Sequence, residues 1–253
     1  MSEKILLHIN ENENIAALHT VPKDGGAAPQ TLVVMLHSFP GHKAGKGGLF
    51  EAMAGYLCES GYHTLRFDFR GCGESDGLQE SFSLSRASED LKMALYWAHK
   101  DGYKNFIFIG EGLGASIAIQ NYTPQATGLA LLWPIADTKT YYDYLTHGHL
   151  PEGKIKKAGF LELHGYRIGT TLLGELKRCN LMLHMKKVKA PTLILHGSRD
   201  KVAPPKEMEI FRKHLGSSHI DITNFHGGDH GLSDAKHRKA LMKQVLAFIE
   251  KTV

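Results

Sequence analysis

Apolar and polar positions along this chain follow two rhythms in turn. Residues 4–10 and 14–21 alternate between the two around the polar turn Glu11-Asn12-Glu13, which predicts an antiparallel opening hairpin. After a Gly/Ala/Pro loop over residues 24–29, the alternation gives way to short apolar, often β-branched runs. These cover residues 31–37, 63–69, 105–109, 127–133, 192–196 and 220–225. Near-continuous runs of that length suit parallel strands buried on both faces. Between them the apolar residues take up helical spacing, as in Leu49, Phe50, Met53 and Leu57, or Leu91, Ala94, Leu95 and Ala98. Leu241, Val245 and Phe248 form the stripe of a last helix, with Ser233 expected as its N-cap. Strands alternating with helices predict a parallel sheet covered on both sides.

One stretch breaks the alternation. Residues 137–189 should hold a single crossover helix, yet they number more than fifty. An excursion of that length from a sheet domain is usually functional. The expected organisation is therefore a core of residues 1–136 and 190–253 with a largely helical cap over the carboxyl ends of the strands. Apolar cap residues would line a pocket, and Tyr141, Tyr144, Phe160 and Leu172 are the substrate-binding candidates.

Composition narrows the classes. A chain of 253 residues suits one sizeable domain, and a formal charge of +4 is too small and dispersed to point to nucleic acid. Three cysteines without a C-x-x-C pair argue against a disulfide framework and for a reduced, cytoplasmic setting. No run is apolar enough for a signal-peptide core or a membrane span, so no membrane partner is expected. The cap is the basic part, with ten Lys/Arg against five Asp/Glu. A solvated surface explains that balance, and attraction of an anionic substrate is the alternative. Sixteen histidines are scattered without ligand spacing, His147-Gly148-His149 being the one close pair, so neither metal nor cofactor is expected.

The chemistry-bearing motifs fall after the predicted strands, where ligands bind in sheets of this kind. Ser38-Phe39-Pro40-Gly41 follows the first parallel strand, and its backbone N–H groups could line an oxyanion hole. Arg70 to Gly77 follows the second strand, and Gly110-Glu111-Gly112-Leu113-Gly114 follows the third and opens a helix. Gly197 to Pro204 contains Asp200, and His226 to Gly231 contains His230. The third of these has the layout of a nucleophile elbow, G-x-S-x-G, but with glycine at the serine position.

Taken together, "LRFDFRGCGESDG", "LHGSRDKVAP", the elbow and the terminal histidine resemble the α/β-hydrolase superfamily. Within it the chain looks most like small intracellular serine esterases and acyl hydrolases of the cinnamoyl/feruloyl esterase type. The resemblance implies a mostly parallel eight-stranded sheet with helices on both faces and a helical cap. It implies Asp200 as triad acid, His230 as general base, Phe39 and Leu113 as oxyanion-hole N–H donors, and Gly112 at the nucleophile position. The partner implied is a small-molecule ester or carboxylate. Asp200 as a mere turn residue and His226 as the base are the competing assignments. Glu111 is expected to pack or hydrogen-bond nearby, Ser116 to point away from the pocket, and Cys72 to fill space between glycines.

Glycine tolerates the strained backbone of an elbow, so Gly112 should preserve the fold while removing the covalent step. Three readings follow: a disabled, substrate-holding esterase, a natural non-catalytic binding protein, or direct activation of water by Asp200 and His230. Persistence of the acid, the base and the oxyanion loop favours the first.

Overall fold

The computed structural model describes residues 2–146, 155 and 157–253. The opening hairpin is present as β1 (Ser2–Asn10) and β2 (Glu13–Thr20). Then follow β3 (Thr31–Leu36), α1 (Leu49–Glu59), β4 (His63–Phe67), α2 (Leu84–Lys100), β5 (Asn105–Glu111), α3 (Leu113–Gln120) and β6 (Ala126–Leu132). The long excursion contains α4 (Thr138–Thr146), β7 (Phe160–Leu163), β8 (Tyr166–Gly169), α5 (Thr170–Arg178) and α6 (Leu181–Met185). The chain closes with β9 (Thr192–Gly197), α7 (Met208–His214), β10 (Ile220–Phe225) and α8 (Ala235–Thr252).

Eight strands form one sheet in the order β1-β2-β4-β3-β5-β6-β9-β10, antiparallel at the β1, β2 and β4 edge and parallel elsewhere. The continuous apolar runs are explained by what lies on each face. Leu32, Val34, Leu36, Phe106, Phe108, Leu129 and Leu131 pack with Leu91 of α2 and Ile117 of α3. The residues between them, Val33, Met35, Ile107, Ile109, Ala130 and Leu132, pack with Phe50 and Met53 of α1 and Val245 of α8. With a period of two, each of these strands feeds both cores, so their interior positions are predominantly apolar.

The chain runs from β3 outward to β4, then returns past β3 to β5 and continues outward to β6, β9 and β10. The loops leaving β3 and β5 therefore diverge at a topological switch point, which opens a crevice at their carboxyl ends.

Alongside its helices the excursion holds an antiparallel hairpin of β7 and β8, with Leu163 opposite Tyr166. Its two-residue turn is His164-Gly165, with φ of 50° and 81°. Positive φ at both central residues is what a tight hairpin of this kind requires, and histidine is an unusual occupant of the first. The N-cap of α8 is Asp234, whose carboxylate accepts from the N–H groups of Lys236 and His237 at 2.9 and 3.1 Å. Ser233 instead donates its hydroxyl to Asp229. Among the described residues no helix is long and apolar enough to cross a membrane. His147-Gly148-His149 lies outside the described residues.

Candidate active site

Gly112 stands between β5 and α3 with φ 51° and ψ −116°, a backbone region that side-chain-bearing residues rarely adopt. Two residues on, Gly114 lets α3 press against β3: a Cβ there would lie 2.1 Å from the carbonyl oxygen of Leu36. The elbow is thus a strained turn held between its neighbouring strands. The amide of Gly112 donates to the Leu132 carbonyl at 3.0 Å on the β6 side.

On the β3 side the sheet register decides what faces the elbow. Leu36 pairs with Gly110 across β3 and β5. Continuing both chains by two residues sets Ser38 opposite Gly112. A Cβ on Gly112 would come 2.6 Å from Ser38 Oγ and 3.9 Å from Cδ1 of Trp133. The hydroxyl of Ser38 accepts from the N–H of Leu113 at 3.2 Å, the N–H assigned to the oxyanion hole.

The Ser38 loop is fixed from several sides. His37 donates from Nδ1 to the Ser38 carbonyl at 2.7 Å and accepts at Nε2 from the N–H of Phe69 at 3.0 Å. That pairing specifies a neutral imidazole, and burial lowers its pKa to about 4. The ring of Phe39 stacks on Phe82 at 4.2 Å, and its carbonyl accepts from the Tyr141 hydroxyl at 2.8 Å. Glu111 is buried beneath the loop and accepts from the N–H groups of Lys46 and Ser38. Burial is the chief influence on that carboxyl and raises its pKa.

Asp200 and His230 meet from the loops after β9 and β10. Asp200 Oδ2 lies 2.8 Å from His230 Nδ1. The other carboxylate oxygen accepts from the N–H groups of Val202 and Ala203 at 2.8 and 2.9 Å. The acid is thus held by backbone donors and aimed at the ring, which turns Nε2 of His230 the other way. The His230 ring packs edge-on to Trp133, centroids 6.1 Å apart. His226 is exposed, and Asp229 is engaged with Ser233.

His230 lines a cavity of about 390 Å³ together with Ser38, Phe39, Glu111, Trp133 and Tyr141 among others, with Asp200 buried behind it. The excursion supplies one wall through Tyr141, Tyr144, Leu145, Leu163, Tyr166 and Ile168. Of the substrate-binding candidates, Tyr141 and Tyr144 line the cavity, and Phe160 and Leu172 do not. Leu172 is fully buried with Leu173 and Leu176 in the inward stripe of α5, where it ties the excursion to the core. Phe160 begins β7 with the Arg167 guanidinium 4.9 Å over its ring. A larger groove, about 570 Å³, runs along α2, α5 and α6 and contains neither Asp200 nor His230.

Ser116 is buried and donates to the Ile135 carbonyl at 2.9 Å. Cys72 is buried, and its thiol is pushed well above the ordinary range, which leaves it inert. Two residues that sequence reasoning passed over belong to the site. Ser38 was visible in the oxyanion loop, where only the backbone N–H groups were weighed and not its hydroxyl. Trp133, last residue of an apolar run, buries an indole N–H with no hydrogen-bond partner among the described residues.

A family model described as serine aminopeptidase, S33, matches the sequence over residues 27–161 and 165–234. The chain belongs to that family. Its fold is that of the α/β-hydrolases, and the family relation supports a hydrolase. It is similar to an acyl transferase of Vibrio campbellii, 20% identical over 246 residues, covering 90% of this chain and 77% of the relative. It superposes on Est1E of Butyrivibrio proteoclasticus with ferulic acid bound, at TM-score 0.83 and 20% identity over 97% of this chain and 99% of the other. The esterase domain of a Rhodothermus marinus protein gives TM-score 0.76 and 20% identity over 99% and 98% of the two chains.

Proposed function

We propose that this S33-family chain is a carboxylic-ester or acyl-hydrolase scaffold of the Ser-His-Asp type, with glycine at the nucleophile position. It holds esters or carboxylates in the cavity and turns them over slowly. The observation that carries this reading is the Asp200–His230 pair, 2.8 Å apart, whose His230 ring lines the cavity, together with an elbow backbone at φ 51°. In such a site His230 relays a proton and Asp200 orients its ring. Losing the elbow nucleophile lowers kcat by on the order of 10⁶-fold in another serine hydrolase, so turnover through residue 112 is absent while binding survives. The acyl transferase and esterase names of its relatives and structural neighbours, and the ferulic acid bound to Est1E, support an acyl group as ligand.

The test is to return a serine to the elbow. Because a Cβ at 112 meets Ser38 Oγ at 2.6 Å, the suitable variant is Gly112→Ser with Ser38→Ala. With short p-nitrophenyl esters it should show a burst, saturable turnover and fluorophosphonate labelling at residue 112. A folded variant with neither burst nor label overturns the proposal.

A second reading, a non-catalytic binding protein, is favoured by Trp133. Its buried N–H, without a partner among the described residues, sits beside the elbow, where an acceptor on a bound ligand would satisfy it. Calorimetry with ester and carboxylate ligands on the unmodified chain and on Trp133→Phe addresses it. Unchanged affinity in Trp133→Phe would exclude that role for the indole.

A further inference from the structure

Ser38 brings a hydroxyl to the point where a side chain on residue 112 would begin. We propose that Ser38 Oγ is the nucleophile that accepts the acyl group in this chain, delivered by the loop after β3 in place of the elbow. The inference rests on the ester-site reading above and names the residue behind its slow turnover.

Four observations carry it. The register of β3 on β5 puts Ser38 opposite Gly112, and its Oγ is 2.6 Å from the Cβ position there. An elbow serine would project its own oxygen one covalent bond from that Cβ, so the two oxygens serve the same small region. The Leu113 N–H donates to Ser38 Oγ at 3.2 Å from the first turn of α3. The positive end of a helix favours charge building on that oxygen. Ser38 is half-exposed and lines the cavity together with His230, whose Nδ1 is occupied by Asp200 and whose Nε2 is therefore the nitrogen available as base. Finally, no other serine, threonine or cysteine is among the described residues lining the cavity. Ser116 is committed to the Ile135 carbonyl, and the cavity's Tyr141 hydroxyl is committed to the Phe39 carbonyl.

The step balances without an added reagent. Ser38 Oγ bonds to the ester carbonyl carbon while its proton passes to His230 Nε2. The bond from that carbon to the alcohol oxygen then breaks, and His230 returns the proton to the leaving oxygen. Water, deprotonated by His230, attacks the acyl-Ser38 ester, releases the carboxylic acid and restores the hydroxyl.

The unmodified chain is treated with a fluorophosphonate, digested with trypsin and mapped by mass spectrometry. Ser38 is the only serine between Lys23 and Lys43, so cleavage after those lysines isolates it. The expected result is one adduct on that peptide, lost in Ser38→Ala and weakened in His230→Ala. Hydrolysis of p-nitrophenyl acetate should fall about tenfold or more in Ser38→Ala. No adduct, an adduct elsewhere, or unchanged hydrolysis in Ser38→Ala overturns the proposal. Gly112→Ser with Ser38→Ala separates the two failures. If that variant labels at 112 and hydrolyses esters while the parent never labels at Ser38, only the Ser38 role is lost. If it does neither while folded, the ester-site reading falls as well.

Discussion

Replacing Gly112 by serine should destabilise the protein even where it supplies a nucleophile, and the structure sets the size of the effect. The residue sits at φ 51° and ψ −116°, and a side chain held in such a region costs about 1–3 kcal/mol. Its Cβ would stand 2.6 Å from Ser38 Oγ, so that hydroxyl must rotate away and give up the Leu113 N–H. Losing one such hydrogen bond costs about 0.5–1.5 kcal/mol. The two contributions give about 1.5–4.5 kcal/mol for Gly112→Ser alone. With a urea slope of about 2–3 kcal/mol per molar, the midpoint should move down by about 0.5–2 M. Ser38→Ala alone loses only the hydrogen bond, about 1 kcal/mol. In the double variant the 2.6 Å contact with Oγ is gone, a 3.1 Å approach between the two Cβ atoms remains, and the hydrogen bond is lost once, so the penalty should be less than the sum of the singles. Equilibrium urea unfolding of all four proteins, followed by far-UV circular dichroism, measures this cycle. If Gly112→Ser is as stable as the parent, the elbow geometry is wrong. If the cycle shows strict additivity, Ser38 does not occupy the space beside residue 112.

Three further outcomes are expected. His37 is buried and neutral, with its pKa lowered from 6.5 to about 4, so the unfolded chain takes up the proton first as the pH falls. Its contribution is complete above about pH 6.5 and is lost between there and about pH 4, amounting to about 3 kcal/mol. Urea unfolding at pH 7, 5.5 and 4 should show that loss, with a shallower slope in His37→Gln; equal slopes would refute it. Gly114→Ala places a Cβ 2.1 Å from the Leu36 carbonyl oxygen, and since neither backbone can rotate aside it should cost about 3 kcal/mol or more. A Gly114→Ala protein with the parental urea midpoint would contradict the close packing of α3 on β3. Asp90→Ala leaves the buried Arg70 guanidinium without its 2.5 Å partner and should cost about 3–5 kcal/mol, read from the same unfolding curve. A loss below about 1 kcal/mol would mean that Glu13 and Glu89 suffice for Arg70.

Much of this molecule was legible before any coordinates. The apolar runs at 31–37, 105–109 and 220–225 became β3, β5 and β10 with small shifts at their ends. Central strands such as β3 and β5, buried on both faces, are predominantly apolar, so their composition reports their place, whereas edge strand β10 carries Asp221, Thr223 and Asn224 among its apolar residues. The loops carrying Gly112, Asp200 and His230 could be ordered because each follows such a strand, and parallel strands deliver their following loops to one edge. The His164-Gly165 turn was missed because histidine is a rare left-handed residue, and the N-cap assignment slipped by one residue because Ser233 and Asp234 compete for the same role. Of the four candidates for the cavity wall, Tyr141 and Tyr144 line the cavity, whereas Leu172 turns to the core and Phe160 lies outside. Helical period names a face without saying which neighbour covers it. Ser38 beside Gly112 belongs wholly to tertiary structure. The two residues are 74 positions apart in the chain, and only the register of Leu36 on Gly110 brings them together. The sequence by itself determined the strands, the order of the loops and the glycine in the elbow, since those depend on local pattern. Which hydroxyl stands beside that glycine was decided by strand pairing, a long-range choice that no local pattern encodes.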